Sequence, residues 1–265
     1  MPRYLRIPGI PVFVYHGLAD ETARPVAARE ERYSVSVQQF QTQLDCLDGA
    51  DFTIVLLSNL MSGKASLLGR SQVVLTFDDG RASDFSSAYP RLREKGFNAE
   101  FFVNTATINT AGFLTWSEAK EMQREGMSFQ SHGHDHVDLT RLSGDELQRQ
   151  LKLSKETLED QLGAPVNFLA APFGALNSTV VECALRLGYQ AVCSARTLPA
   201  RPGAHNLNRV VIYRGTSIRA FRQLLQCRPW GYLGRIAQSP FYRARNLLGK
   251  LRPMRPGPQV PEKTT

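Results

Sequence analysis

At 265 residues, with 42% hydrophobic and 21% charged positions, the chain can bury one sizeable core and has the composition of an ordinary globular protein. No apolar run approaches the eighteen or so residues of a membrane-spanning helix, so nothing in this sequence reads as one. The net charge of +8 is concentrated after residue 227, where eight basic residues face the single acidic Glu262; the near-neutral remainder argues against a nucleic-acid-binding face.

The N-terminus carries Arg3 and Arg6 and then apolar residues. Pro8 and Pro11 interrupt it and no small-residue cleavage site follows, so it reads as the approach to a first strand at Ile10–Tyr15. With no export signal, a cytoplasmic location is expected. Residues 34–47 form an amphipathic helix with Phe40, Leu44 and Leu47 on one side. Phe52–Leu57 and the β-branched run Val73–Phe77 are strands, the second followed by a helix that Gly96 closes. Ala99–Val103 is the next strand. Thr115-Trp116-Ser117-Glu118 is a capping box opening a helix that stops at Gly126. Met127–Ser131 follows as a strand. Ser143-Gly144-Asp145-Glu146 then opens a long helix that buries Leu147, Leu151, Leu158 and Leu162 and ends at Gly163 and Pro165. Val166–Ala171 is a strand, Asn177 caps a helix that Gly188 terminates, and Gln190–Cys193 and Leu207–Tyr213 are the last two strands.

Strands alternating with helices imply a parallel sheet, and about eight strands suffice to close a barrel. An open doubly wound sheet is the alternative, but no Gly-rich phosphate loop follows any strand. Cys46, Cys183, Cys193 and Cys227 show no CxxC spacing and read as reduced thiols. The expected organisation is an α/β domain over 1–227 and a basic, Pro-rich tail over 228–265. The prolines from 229 onward are expected to end regular folding there, and the last dozen residues read as disordered.

The polar residues of interest fall just after strands: Tyr15-His16, Asp78-Asp79-Gly80, Asn104-Thr105, His132 and Pro172-Phe173-Gly174. In parallel α/β barrels those strand ends converge on one rim, where catalytic groups sit. Two adjacent carboxylates repel unless a positive charge lies beside them; with a divalent metal, one ligates and the other stays free as a base. Three of the five histidines lie within His132–His136, and His132 and His136 have a spacing suited to chelation. Two imidazoles and one aspartate leave open positions on zinc, cobalt, nickel or iron, where water is activated as a nucleophile and an acyl oxygen is polarised. This is machinery for hydrolysing an amide or ester.

These motifs resemble the polysaccharide deacetylase family, the NodB-homology domain of carbohydrate esterase family 4. Its TFDDG motif stands intact at Thr76–Gly80, and its H-[ST]-x-x-H motif aligns with His132–His136, with Gly133 at the hydroxyl position and His134 off-pattern. Its R-x-P-[FY] motif aligns with Ala170–Phe173. Weaker similarity runs from about Val12 to Leu225 and is nearest the bacterial exopolysaccharide branch. The resemblance implies a distorted (β/α) barrel of about seven units, with Asp78 as general base and Asp79, His132 and His136 as metal ligands. Pro172 and Phe173 would wall the substrate groove, and Tyr15 would stand on the substrate side with His16.

Two departures matter. Ala170 replaces the arginine that pairs with the base, and Arg209, set among apolar residues, is the expected substitute because an unpaired buried guanidinium is costly. The motifs holding an Asp/Trp pair and the acid histidine are not evident; His16, His134 and His205 are candidate acids, with His16 best placed. The expected substrate is an N-acetylated polysaccharide or its lipid-linked precursor. The alternatives are a carbohydrate-binding pseudoenzyme and an amidohydrolase for a small non-sugar amide. Arg235–Arg255 mixes basic and apolar residues, which suits peripheral contact with an anionic membrane as well as a helix packed on the barrel.

Overall fold

The computed structural model describes residues 5–19, 31–50, 52–62 and 71–238. Its strands are β1 (Val12–Tyr15), β2 (Leu18–Ala19), β3 (Val35–Ser36), β4 (Phe52–Ile54), β5 (Ser71–Asp79), β6 (Glu100–Val103), β7 (Ser128–Ser131), β8 (Phe168–Ala170), β9 (Ala191–Cys193), β10 (Asn206–Leu207) and β11 (Val210–Val211). Its helices are α1 (Val37–Asp48), α2 (Leu57–Met61), α3 (Tyr89–Glu94), α4 (Trp116–Arg124), α5 (Gly144–Leu162), α6 (Ser178–Arg186), α7 (Ile218–Leu225) and α8 (Pro229–Gln238). A π-helical turn, Asp84–Ala88, leads into α3.

The main sheet runs β10-β9-β8-β7-β6-β5-β1-β11, with β4 added at the start of β5, and every pairing in it is parallel. It curls into the expected distorted barrel with helices outside. The pleat splits the core in two, because alternate side chains leave opposite faces of a strand. Val12, Val74, Phe102, Phe168, Ala191 and Leu207 share the inner cluster. Phe13, Tyr15, Leu75, Phe77, Phe101, Phe129 and Leu169 meet the helices, where Leu44, Leu92, Met122, Leu151, Val180 and Phe221 cover them. Tyr15, Phe77, Phe101 and Phe129 are in register across β1, β5, β6 and β7, and stack at centroid distances of 5.2, 4.8 and 5.5 Å.

Local signals start and stop most helices as the residues predict, although the helix expected from residue 34 begins only at Val37, after Val35–Ser36 pair as β3. Ser36 accepts from Gln39 N, Thr115 and Glu118 form a reciprocal cap, Ser143 accepts from Glu146 N, and Asn177 accepts from Val180 N. Gly163 ends α5 at φ 63°, a conformation open to glycine without a Cβ clash.

Three further expectations are corrected. The strand expected over Phe52–Leu57 stops at Ile54, because Leu57 turns into α2 and its N–H is held by Glu100 Oε1 at 2.8 Å. The strand expected over Leu207–Tyr213 is two strands: β10 pairs with β9 and β11 with β1, at opposite ends of the curled sheet. Asn208 and Arg209 therefore cross the seam of the barrel. The prolines do not end regular structure at 229, since Pro229 opens α8; proline is well suited to a first helical turn, where no N–H partner is needed. Tyr232 of α8 is buried and donates to Leu224 O of α7. The tail from 239, including the stretch expected to be disordered, lies outside the described residues.

Candidate active site

Even-numbered residues of β1, β5 and β7 point into the barrel, so its interior turns polar towards the strand C-termini: Thr76 and Asp78 follow Val74, and His132 follows Gln130. Asp78 is 3% exposed and Arg209 1%. Arg209 Nη1 and Nη2 donate to Asp78 Oδ1 and Oδ2 at 2.7 and 2.8 Å, a bidentate pair. Nη1 also reaches Thr76 Oγ1 at 3.3 Å, and the guanidinium lies over the Phe102 ring at 5.0 Å. Burial, the largest single influence, pushes the Asp78 pKa up, but the Arg209 charge and hydrogen bonds together with the nearby His132 and His16 hold the carboxyl below its ordinary value.

Asp79 would face the helices by simple alternation. Its φ of 78° turns it back, and Gly80 (φ 68°) follows because a Cβ there would meet Val103 Cγ1 at 2.8 Å. Asp79 Oδ1 then lies 3.5 Å from His132 Nε2 and 3.3 Å from His136 Nε2. Asp79, His136 and Phe173 are three of the five non-glycine residues with positive φ among those described, so backbone strain gathers at this rim.

The arrangement fits a cation. One ligand atom from each of Asp79, His132 and His136 falls within 4.8 Å of the others. Buried Asp79 Oδ1 has no hydrogen-bond partner. His132 Nδ1 lies 2.9 Å from Ala170 O; a carbonyl only accepts, so this nitrogen carries the proton and Nε2 presents a lone pair. Burial lowers the His132 pKa, yet Asp78 and Asp79 outweigh it and raise the value, a field that favours positive charge. Arg81 Nη2 stands 3.4 Å from Asp79 Oδ2.

The histidine loop is braced from two sides. Asn104 Nδ2 donates to His132 O, and Thr105 Oγ1 pairs with His134 Nδ1 at 2.7 Å. From α5, Gln150 bonds Asp135, and Ser154 bonds Ser131, whose hydroxyl accepts from Gly133 N. Arg81 and Gln150 were not expected from the sequence; Arg81 directly follows the Asp-Asp-Gly turn, whereas Gln150 gave no signal inside a helix.

His16 Nε2 is 4.0 Å from Asp78 Oδ2, and burial lowers its pKa, against the opposing pull of Asp78. Pro172 is buried beside Gly133, and Phe173, 60% exposed, meets the His136 ring edge-on at 4.7 Å. Tyr15 is a correction: it is fully buried on the helix face, with its hydroxyl on Gln43 Oε1 at 2.8 Å, and offers substrate no surface. Arg209 sits between strands rather than within one. Of the other candidate acids, His134 is engaged by Thr105 and faces Asp135 at 3.5 Å. His205 precedes β10, at the opposite end of the barrel.

Residues 67–192 match the family model described as polysaccharide deacetylase. The chain is 26% identical over 216 residues to the protein YxkH of Bacillus subtilis, covering 80% of this chain and 74% of that one. It is 27% identical over 157 residues to a poly-beta-1,6-N-acetyl-D-glucosamine N-deacetylase of Staphylococcus aureus, 57% of this chain and 53% of that enzyme. Among solved structures, the Streptococcus pyogenes deacetylase PplD in complex with acetate superimposes with a TM-score of 0.76 at 28% identity, covering 84% of this chain and 99% of that one. The chain thus spans about three quarters of the Bacillus relative and about half of the Staphylococcus enzyme.

Proposed function

Because the chain belongs to the polysaccharide deacetylase family, we propose that it removes N-acetyl groups from a polysaccharide or its lipid-linked precursor in a metal-dependent hydrolysis. The observation that carries this reading is the convergence of Asp79, His132 and His136 on an orphaned carboxylate oxygen, beside an ion-paired Asp78 in the barrel mouth. Asp79, His132 and His136 would hold a divalent ion, zinc or a similar metal, and that ion would supply the Lewis acidity the hydrolysis needs.

The chain's own groups do the rest. Asp78, kept ionised by Arg209, accepts the proton of the attacking water. Arg209 spends its fork on both Asp78 oxygens and so fixes the direction of their remaining lone pairs. His16, whose Nε2 lies 4.0 Å from Asp78 Oδ2, is the group we assign to take up that proton from Asp78 and pass it to the departing nitrogen. Phe173 and Pro172 wall the groove against His136.

Acetate release from N-acetylglucosamine oligomers tests the reading. It is expected to vanish on chelation and in Asp78→Asn, and to return when zinc is restored. Undiminished release in either condition overturns it.

A cytoplasmic enzyme touching the membrane edge is the placement we propose. Among the described residues no helix is long and apolar enough to cross a membrane. On α8, Trp230 is 76% and Leu233 55% exposed, near exposed Arg219 and Arg222 of α7, a mixture that suits an anionic lipid surface. Co-sedimentation with anionic vesicles, lost in Trp230→Ala, is the expected result; equal pelleting of the variant rejects the idea.

A further inference from the structure

Beside His16 lies a cluster that the proposed chemistry does not use. The Tyr33 ring is 5.1 Å from that of His16 and 5.4 Å from that of Tyr213. The exposed Arg32 guanidinium covers both tyrosines, at 5.1 and 4.7 Å from their centroids. Both rings are half-buried, so each keeps part of its surface open to solvent.

Their supports are extensive for a surface feature. Arg214 N donates to Arg32 O at 3.0 Å, and Arg214 Nη1 pairs with Glu31 at 3.2 Å. Gln39 Nε2 donates to the carbonyls of both Tyr213 and Thr216, and Tyr213 N donates to Thr216 Oγ1. Two segments from different parts of the chain are thereby held so that two aromatic rings and a guanidinium share one rim.

The topology sets where that rim lies. Phe173 follows β8 and Tyr213 follows β11, five strand positions apart through β7, β6, β5 and β1, with Asp78 and Asp79 between them. Neighbouring strands are about 4.8 Å apart, and β8 and β11 are not neighbours in the sheet, so the two aromatic sites stand at separate points of the rim. Aromatic rings match the apolar C–H faces of sugars, and a guanidinium supplies several hydrogen-bond donors for hydroxyl or acetamido oxygens.

We propose that Tyr33, Tyr213 and Arg32 form a sugar-binding subsite, which holds a neighbouring pyranose of a glycan chain while another unit is deacetylated at Asp78. The proposal rests on the deacetylase reading and deepens it: the substrate is an oligomer or polymer lying across the mouth, not a single acetylated sugar.

The test measures binding and turnover separately on the full chain, using N-acetylglucosamine and its pentamer, with a small aryl acetate as a substrate too short for the subsite. Tyr33→Ala and Tyr213→Ala are expected to weaken pentamer binding and raise its KM about tenfold, equivalent to about 1.4 kcal/mol. Their kcat and aryl acetate hydrolysis should stay within about twofold. Tyr33→Phe and Tyr213→Phe keep the rings and should restore binding, which separates a lost platform from a misfolded loop. Unchanged pentamer affinity in both alanine variants overturns the subsite, as does an equal loss of aryl acetate hydrolysis. If the wild type binds the pentamer through these tyrosines but releases no acetate, the deacetylase reading fails and the subsite stands.

Discussion

The two sides of the curled sheet bury polarity in opposite ways. Inside the barrel, Asp78 is fully enclosed but meets a bidentate Arg209, and both charges are satisfied. On the helix side the sheet shows a ladder of aromatic rings, and in the π-helical turn leading into α3 lies Asp84. It is completely buried, and neither carboxyl oxygen has a hydrogen-bond partner. Burial, with the nearby Asp79 charge, raises the Asp84 pKa well above its ordinary value. A buried carboxylate is affordable only when paired; an unpaired one is held as the neutral acid.

The strongest way to break this contrast is Arg209→Met. It strands Asp78 as an uncompensated buried charge, so a loss of about 3–5 kcal/mol in urea unfolding is expected, together with at least a hundredfold drop in kcat/KM. Arg209→Lys should not rescue the activity, because an ammonium cannot reproduce the two parallel bonds. Wild-type stability in Arg209→Met would show that Asp78 does not depend on its partner.

A smaller effect sharpens the other half. The folded-state pKa of Asp84 is raised, so its contribution to stability is most favourable below the unfolded pKa and declines as pH rises through the folded value. Asp84→Asn removes that penalty. It should raise the melting temperature at pH 8 by roughly 2–4 °C, for a gain of about 1 kcal/mol, and leave it unchanged below about pH 4, where the free carboxyl is protonated. Asp78 has the opposite sign: its lowered pKa supports the fold above the usual carboxylate range and withdraws that support as pH falls. A destabilised Asp84→Asn at pH 8 would mean that the carboxyl has a partner only when charged.

Much of the site was legible because local chemistry and strand order agree. Asp78, Asp79 and His132 stand at the ends of strands, with His136 four residues past His132 in the same loop, and parallel strands bring such ends to one rim. Tyr15 was misplaced although the clue was present. Phe13 and Tyr15 share a parity, so both leave the sheet towards the helices, while His16 has the parity of Val12 and enters the barrel. The Tyr33–Tyr213 pairing left no trace in the sequence, since 180 positions separate the two residues and neither lies in a motif.

Periodicity and local motifs pointed to the α/β class, to most helix caps and to Asp79, His132 and His136 as candidate ligands, because each signal depends on neighbours within a few positions. Three-dimensional closure had to supply the rest. The seam between β10 and β11 carries Arg209 inward to Asp78, and the left-handed backbone at Asp79 redirects a side chain that the pleat would have turned away. Both depend on where the sheet meets itself, and that is set by the packing of the whole chain rather than by any one stretch of it.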